Sequence, residues 1–325
     1  MKIEPNVFLY AKGKENKYLH SWSGLVYAVK QPDDTFFLID SGMFSKRKLK
    51  LFEEDLERDG LNLKDLRAIL ITHAHADHTR STPLIIEKHP KCEVWVHEKD
   101  AGILSDPNAF WDLMLAAGKA LKSDFIPFGA GWLAKFFMKL ILGTLPAIKP
   151  DRLLKDGEMI GKEGGEIKVI HTPGHSPGHA GYYLINQEIL FTGDIIDPAF
   201  DSKPVTNTPS ANFKELRASL VKMKEIKPKV LLTSHGDDGI NVIRGKERVQ
   251  KFIQKSIDNM DKAYQAVVNL LEDRKRVKFK EFKDIIDEKI WDSKFERLTT
   301  ALSVLKELKE KGMVIQEGKE FQYIK

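Results

Sequence analysis

Cysteine is nearly absent from this chain: its 325 residues hold one, Cys92. A single thiol excludes an intrachain disulfide. The start, Met1-Lys2-Ile3-Glu4-Pro5, lacks the charged-then-apolar pattern of a secretory leader. Together these point to the cytoplasm. Long apolar runs are missing too. None reaches the roughly 18 uncharged residues that a membrane span requires, so no span is expected. Internal repeats and low-complexity tracts are also absent, which argues against a solenoid or a tail-like protein. What remains is an ordinary globular composition, 42% apolar and 30% charged, with enough chain to bury a core unaided. The net charge is +5, and residues 245–325 carry 19 Lys and Arg against 15 Asp and Glu. Most of the basic excess therefore sits in the last quarter. An anionic partner would bind there, unless those charges simply solvate a surface.

Short apolar runs recur along the first part: Val7-Phe8-Leu9-Tyr10, Leu25 to Val29, Phe36-Phe37-Leu38-Ile39 and Ala68-Ile69-Leu70-Ile71. Later come Val94 to Val96, Ile167 to Ile170, Tyr182 to Ile185, Ile189 to Phe191 and Val230 to Leu232. Each has strand length and ends at turn or polar residues. Lys46 to Arg58 has helical spacing at Leu49, Phe52 and Leu56, with Gly60 as a stop. These alternations predict a sheet-rich α/β core over residues 1–244. Within it, residues 107–149 form a helical, aromatic insert with Phe110, Trp111, Phe125, Phe128, Trp132, Phe136 and Phe137. It would serve as a lid or apolar wall, or pack on the core or against another subunit. Residues 245–325 read differently. A helix of about 3.6-residue period covers Val249 to Leu271. A second is predicted over 280–291 and a third over 295–311, followed by a hairpin across Glu317-Gly318-Lys319. Three helices closing on a hairpin predict a small winged-helix-like domain.

The chemistry begins where a strand stops. Ala68-Ile69-Leu70-Ile71-Thr72 runs straight into His73, His75, Asp77 and His78. Nitrogen and oxygen donors clustered this way suit a divalent cation of zinc type. The spacing differs from the helical His-Glu-x-x-His pair. In an extended loop His73 and His75 converge on one ion, and Asp77 and His78 turn towards a second. The same layout recurs downstream. Ile167 to Ile170 leads into His171-Thr172-Pro173-Gly174-His175-Ser176-Pro177-Gly178-His179, Ile189 to Phe191 into Thr192-Gly193-Asp194, and Val230 to Leu232 into Thr233-Ser234-His235-Gly236. Loops at strand ends are where a rigid sheet usually places function.

On these residues the chain resembles the metallo-β-lactamase superfamily. The resemblance implies an αββα sandwich with a metal site at one edge. It implies that His73, His75 and His175 hold one metal, that Asp77, His78 and His235 hold the other, and that Asp194 bridges both. Asp40, in Leu38-Ile39-Asp40-Ser41-Gly42, matches the carboxylate that hydrogen-bonds behind the histidine loop, and His179 would support the site from the same layer. His171 reads as structural, Cys92 as a buried thiol, and His20, His89 and His97 have no assigned role. No cysteine stands at a ligand position, which argues against antibiotic hydrolysis.

The implied enzyme is a metallo-hydrolase with two divalent metal ions, zinc first and iron or manganese as alternatives. A shared hydroxide would attack the substrate, with Asp77 accepting or relaying the proton. Three function classes stay open. The first is hydrolysis of a small ester, thioester or lactone, as in glyoxalase II-like members with the Thr-Pro-Gly-His-Ser-Pro-Gly-His turn. The second is an endoribonuclease acting on single-stranded RNA, since the domain order resembles the β-lactamase-like protein 2 group. There Arg274-Lys275-Arg276-Val277-Lys278-Phe279-Lys280 is either a backbone-contacting patch or a solvated inter-helix loop. The third is an iron-dependent oxidoreductase of the same fold. A small acyl substrate is preferred over RNA, and the C-terminal domain could instead cap the site or pair two copies as a homodimer.

Overall fold

The computed structural model describes residues 1–10, 23–106, 108–109, 112, 146–198, 202–206, 211–236 and 241–324. Nearly all of the aromatic insert, with all seven of its named aromatics, lies outside the described residues, as does His20.

The predicted strand runs build two sheets. The first holds β1 (Lys2–Glu4), β2 (Val7–Tyr10), β3 (Val26–Lys30), β4 (Phe36–Ile39), β5 (Leu66–Ile71), β6 (Glu93–His97) and β7 (Arg152–Leu154), ordered as in sequence. Its first four strands pair antiparallel and the rest parallel. The second sheet holds β8 (Met159–Ile160), β9 (Ile167–His171), β10 (Ala180–Leu184) and β11 (Ile189–Phe191). After a small ribbon of β12 (Ile196–Asp197) and β13 (Lys203–Pro204), it adds β14 (Val230–Leu232) and β15 (Val242–Arg244). Its order is β15-β14-β11-β10-β9-β8.

Three apolar layers follow from the period-two alternation of these strands. Tyr27, Phe37, Leu70, Trp95, Val169, Tyr182 and Leu232 belong to the layer between the sheets. Beyond α1 (Lys46–Arg58) and the short α2 (Ala76–Thr79) come α3 (Thr82–Lys88) and α4 (Ala101–Ser105), and the opposite side chains of the first sheet, such as Phe36, Leu38 and Ile69, pack on α1, α3 and α4 through residues including Phe52, Ile85 and Leu104. The three α1 residues with helical spacing, Leu49, Phe52 and Leu56, are all buried there. Each contributes about 1.5–3 kcal/mol. On the far side, Ile170, Leu190 and Leu231 pack under α5 (Phe213–Ile226) and α6 (Lys246–Arg274). The layer order is therefore αββα.

The last layer does not stop at the second sheet. The same apolar cluster runs through Ile253, Met260 and Val267 of α6 into α7 (Lys294–Glu310) and Phe321. The C-terminal elements are α6, β16 (Arg276–Lys278), a 3-10 turn at Phe279–Asp284, α7, β17 (Val314–Glu317) and β18 (Glu320–Tyr323), with a sheet ordered β16-β18-β17. Two expectations are corrected here. Residues 280–291 do not form an α-helix. The turn ends at Asp284, and Asp287 takes the Lys289 backbone N–H on its own side chain at 2.9 Å, competing with a helical ladder. The basic run is not a loop either. Arg276-Val277-Lys278 pairs antiparallel with β18, Val277 buried and its neighbours exposed.

Candidate metal centre

Four strand ends place the candidate residues. β5, β9, β11 and β14 finish at one edge of the sandwich, and each is followed by its donor-bearing loop. The two sheets are stitched together there. Thr72 O accepts from Ala180 N at 2.8 Å, and the Tyr182 hydroxyl donates to Ile71 O at 2.7 Å. The Tyr27 hydroxyl donates to Thr233 O at 2.5 Å and accepts from Asn241 Nδ2 at 2.9 Å.

The chain brings seven donors into two groups, His73, His75 and His175 in one, and Asp77, His78, Asp194 and His235 in the other. Within each group the donor atoms lie within 4.8 Å of one another. Asp194 Oδ2 is the common point. It stands 3.9 Å from His73 Nε2 and 3.8 Å from His175 Nε2 on one side. On the other it stands 3.3 Å from His78 Nε2 and 3.2 Å from His235 Nε2. Asp77 Oδ2 completes the second group at 3.2 Å from His78 Nε2 and 3.3 Å from His235 Nε2.

Outer hydrogen bonds fix which ring nitrogen faces inward. Asp40 is fully buried with φ of +59°. Its Oδ1 accepts from Thr72 N, and its Oδ2 accepts from Thr72 Oγ1 and from His78 Nδ1, each at 2.8 Å. Since Thr72 Oγ1 donates to Asp40, it accepts from His73 Nδ1 at 3.0 Å. One carboxylate thus sets an imidazole in each group. His73 Nε2 is left buried without a hydrogen-bond partner, its lone pair aimed at the cluster. His175 donates Nδ1–H to Val205 O at 3.3 Å, so its Nε2 turns towards His75 Nδ1, 3.0 Å away. The buried, unpartnered His73 Nε2 and Asp194 Oδ1, set among five further nitrogen and carboxylate donors, fit a pair of divalent cations.

His179 is not in either group. It accepts Asp194 N–H on Nε2 at 2.9 Å, so it donates from Nδ1 to Thr172 Oγ1 at 2.8 Å. It thereby holds the backbone of the shared carboxylate. Gly193, φ +56°, leaves it room, because a Cβ there would overlap His179 Nε2.

Asp100 was not legible as a functional residue in the sequence. It follows β6, is buried, and accepts from Ala74 N at 3.0 Å, Ser176 Oγ at 2.8 Å and Gly178 N at 2.6 Å. This carboxylate clamps the His73–His75 loop to the turn carrying His175. The only signal was a carboxylate shortly after a strand end, a pattern shared with Asp40 and Asp194.

Charge follows geometry. Burial, then the neighbouring rings, holds the His73 pKa well below 6.5 and that of His75 down to about 3. Burial lowers that of His175 as well. In the second group burial opposes charge but the carboxylates prevail. Asp194 and Asp77 raise His78 well above its usual value and bring His235 up to about 10. Asp77 and Asp194 stay well below the carboxylate range despite burial, through His78 and His235. In the metal-free protein, protons on these two imidazoles occupy the position a cation would take.

The other described histidines lie apart. His97 stacks on His171 at 4.0 Å between ring centroids, and His89 meets Glu53 at 3.2 Å. Cys92 is buried, its thiol pushed up to about 12 by burial, and belongs to neither group.

Comparison with known proteins agrees. Residues 21–235 match the metallo-beta-lactamase superfamily. The chain is 26% identical to the hydroxyacylglutathione hydrolase GloC of Haemophilus influenzae over 56% of this chain and 70% of that one. It is 27% identical to the acyl-coenzyme A thioesterase MBLAC2 of Gallus gallus over 52% of this chain, spanning 54% of that relative. In structure it is similar to the metallo-beta-lactamase family protein TTHA1429 of Thermus thermophilus, with a TM-score of 0.72 and 19% identity over 99% of both chains. That likeness shows a shared fold that includes the C-terminal elements. With its αββα layers and the His and Asp cluster at their edge, this chain belongs to the metallo-beta-lactamase superfamily and is of its metallo-hydrolase type.

Proposed function

We propose that this protein hydrolyses a small acyl substrate, a thioester first, at a two-metal centre. His73, His75 and His175 hold one divalent cation, Asp77, His78 and His235 the other, and Asp194 joins them. The observation that carries this reading is the position of Asp194 Oδ2 between the two donor groups, within 3.9 Å of four imidazole nitrogens. Nitrogen-rich donors with two carboxylates suit zinc and also admit iron or manganese. When bound, such a pair lowers the pKa of water and polarises a carbonyl.

The residues supply the rest. Asp40, Thr72 and His179 hold the rings and the shared carboxylate in place before substrate arrives, so little reorganisation is needed. Asp77 is the carboxylate open to substrate. Its side chain is 26% exposed against 7% for Asp194. That exposure sets its carboxylate at the mouth of the site, where it would accept or relay a proton.

The acyl reading draws support from the two relatives named for thioester-type hydrolysis. RNA is disfavoured by the C-terminal charges. Arg274 pairs with Glu281 at 2.7 Å, and Arg276 with Glu317 at 2.9 Å and Glu320 at 3.5 Å. Lys275 lies over the Tyr323 ring at 5.4 Å. Two of the five cations in the run are thus paired with carboxylates, which reduces what it offers a phosphate backbone. Among the described residues no helix is long and apolar enough to cross a membrane.

The test is a panel of glutathione and coenzyme A thioesters, p-nitrophenyl esters, lactones and a fluorescent single-stranded RNA, run on zinc-, iron- and manganese-loaded protein. Thioester turnover is expected, and Asp77→Ala should reduce it by about 100-fold or more. Turnover of RNA alone, or of no acyl substrate, would refute the reading.

A further inference from the structure

The segment Ser202 to Thr206 lies between the metal centre and the C-terminal helices and is bonded to both. On the metal side, β13 pairs with β12, matching Ile196 to Pro204 and Asp197 to Lys203. Val205 N donates to Ile195 O at 3.4 Å, next to Asp194. Val205 O accepts His175 Nδ1–H, the bond that sets that ring. On the other side, Lys203 Nζ donates to Glu296 Oε1 of α7 at 3.0 Å. The Thr206 and Thr300 hydroxyls hydrogen-bond to each other. Asn259 Nδ2 of α6 reaches Ser202 O at 3.5 Å. Ser202, Lys203, Val205, Thr206, Asn259 and Thr300 are all buried.

The chemistry of these contacts is uneconomical for stability alone. Lys203 is an ammonium with 8% of its side chain exposed, paired with the Glu296 carboxylate, 12% exposed, and at 3.9 Å with Asp197 of β12. A buried ion pair seldom stabilises a protein more than apolar side chains of the same volume. Its distinct property is directional: it fixes register. The register here is that of a strand whose next turn carries the carbonyl behind His175. The start of α7 is itself pinned, because Ser293 caps it by accepting Glu296 N–H at 3.0 Å. Glu296 therefore stands at a defined place.

We propose that the C-terminal elements act as a positioning device for the metal centre. Glu296 and Thr300, through the strap Lys203–Thr206, fix the Val205 carbonyl and so the orientation and tautomer of His175. This rests on the reading of His175 as a metal ligand. The appended helices then belong to the catalytic unit even though none of their side chains is among the donors.

Three variants of the full-length chain test it: Thr300→Val, which removes the hydroxyl at constant volume, Glu296→Gln, and Thr300→Ser, which keeps the hydroxyl. Leu308→Ala serves as a control, a buried α7 residue without a bond to the strap. Each is stripped of metal and titrated with zinc against a chromogenic chelator, and with cobalt by its visible absorption. Thr300→Val and Glu296→Gln should weaken uptake at one of two sites by about tenfold and leave the other within about twofold. Thr300→Ser should match wild type. Leu308→Ala should lower thermal stability and leave both affinities unchanged. Wild-type affinity at both sites in Thr300→Val and Glu296→Gln would overturn the proposal, as would an equal loss in Leu308→Ala. If wild type itself binds no metal pair, the ligand reading fails first and the strap falls with it.

Discussion

Asp40→Asn removes one charge from behind the metal centre and changes almost nothing else. The substitution is isosteric, and asparagine tolerates the left-handed backbone, here φ +59°, as well as aspartate does. The loss is in acceptors. The carboxylate takes Thr72 N on one oxygen, and Thr72 Oγ1 and His78 Nδ1 on the other. An amide that keeps its oxygen for Thr72 N turns its NH2 towards His78 Nδ1–H, donor against donor. The neutral His78 that would bind a metal must then carry its proton on Nε2, the nitrogen 3.3 Å from Asp194 Oδ2 that has to be bare to ligate. A hydrogen bond to a charged partner is worth about 1.5–3 kcal/mol, which corresponds to roughly 10- to 100-fold in affinity. Chelator competition on the purified variant should show a loss of that size at the Asp77–His78–His235 group, with a smaller loss at the other group through Thr72 and His73. Metal affinities equal to wild type would refute the reasoning that Asp40 orients these rings.

Other consequences follow from the same geometry. Gly193→Ala puts a Cβ against His179 in a left-handed backbone. The two effects should together cost about 2–4 kcal/mol of stability, read as a lower midpoint in urea, and weaken metal uptake by displacing the Asp194 amide. In metal-free protein, His235 has a folded pKa of about 10 against an ordinary 6.5. A raised pKa stabilises below the unfolded value and is lost as pH rises through the folded one. Stability of the metal-free form should therefore decline between about pH 6.5 and 10, and the metal-loaded form should show no such decline. Zinc added at pH 7 in weak buffer should release protons from His78 and His235, and uptake should weaken as pH falls.

Much of this was legible in the sequence, for a physical reason. Strands buried on both faces are nearly continuous apolar runs, so Phe36–Ile39, Ile189–Phe191 and Val230–Leu232 lie where their composition places them. The donors were legible because each follows such a run directly. Asp100 was not, since His97-Glu98-Lys99-Asp100 looks like a charged surface turn until the Ser176–Gly178 turn folds over it. The strand Arg276–Lys278 carried an alternating signal, one buried valine between exposed cations, but three residues amid basic neighbours are too few to register. The strap depends on strands of two residues each, which have no periodicity to detect. Around 280–291, apolar spacing suggested a helix, and Phe282, Ile286 and Ile290 are indeed buried, but from turns rather than a helical face.

The central claim is that Asp194 joins two metals, each held by its own set of donors. Anomalous diffraction from crystals of the zinc-loaded protein, recorded on both sides of the zinc edge, measures this directly. Two peaks are predicted, one among His73, His75 and His175 and the other among Asp77, His78 and His235, with Asp194 between them about 3.5–4 Å apart. A single peak with Asp194 bound to it alone, or peaks at other residues, would contradict the account.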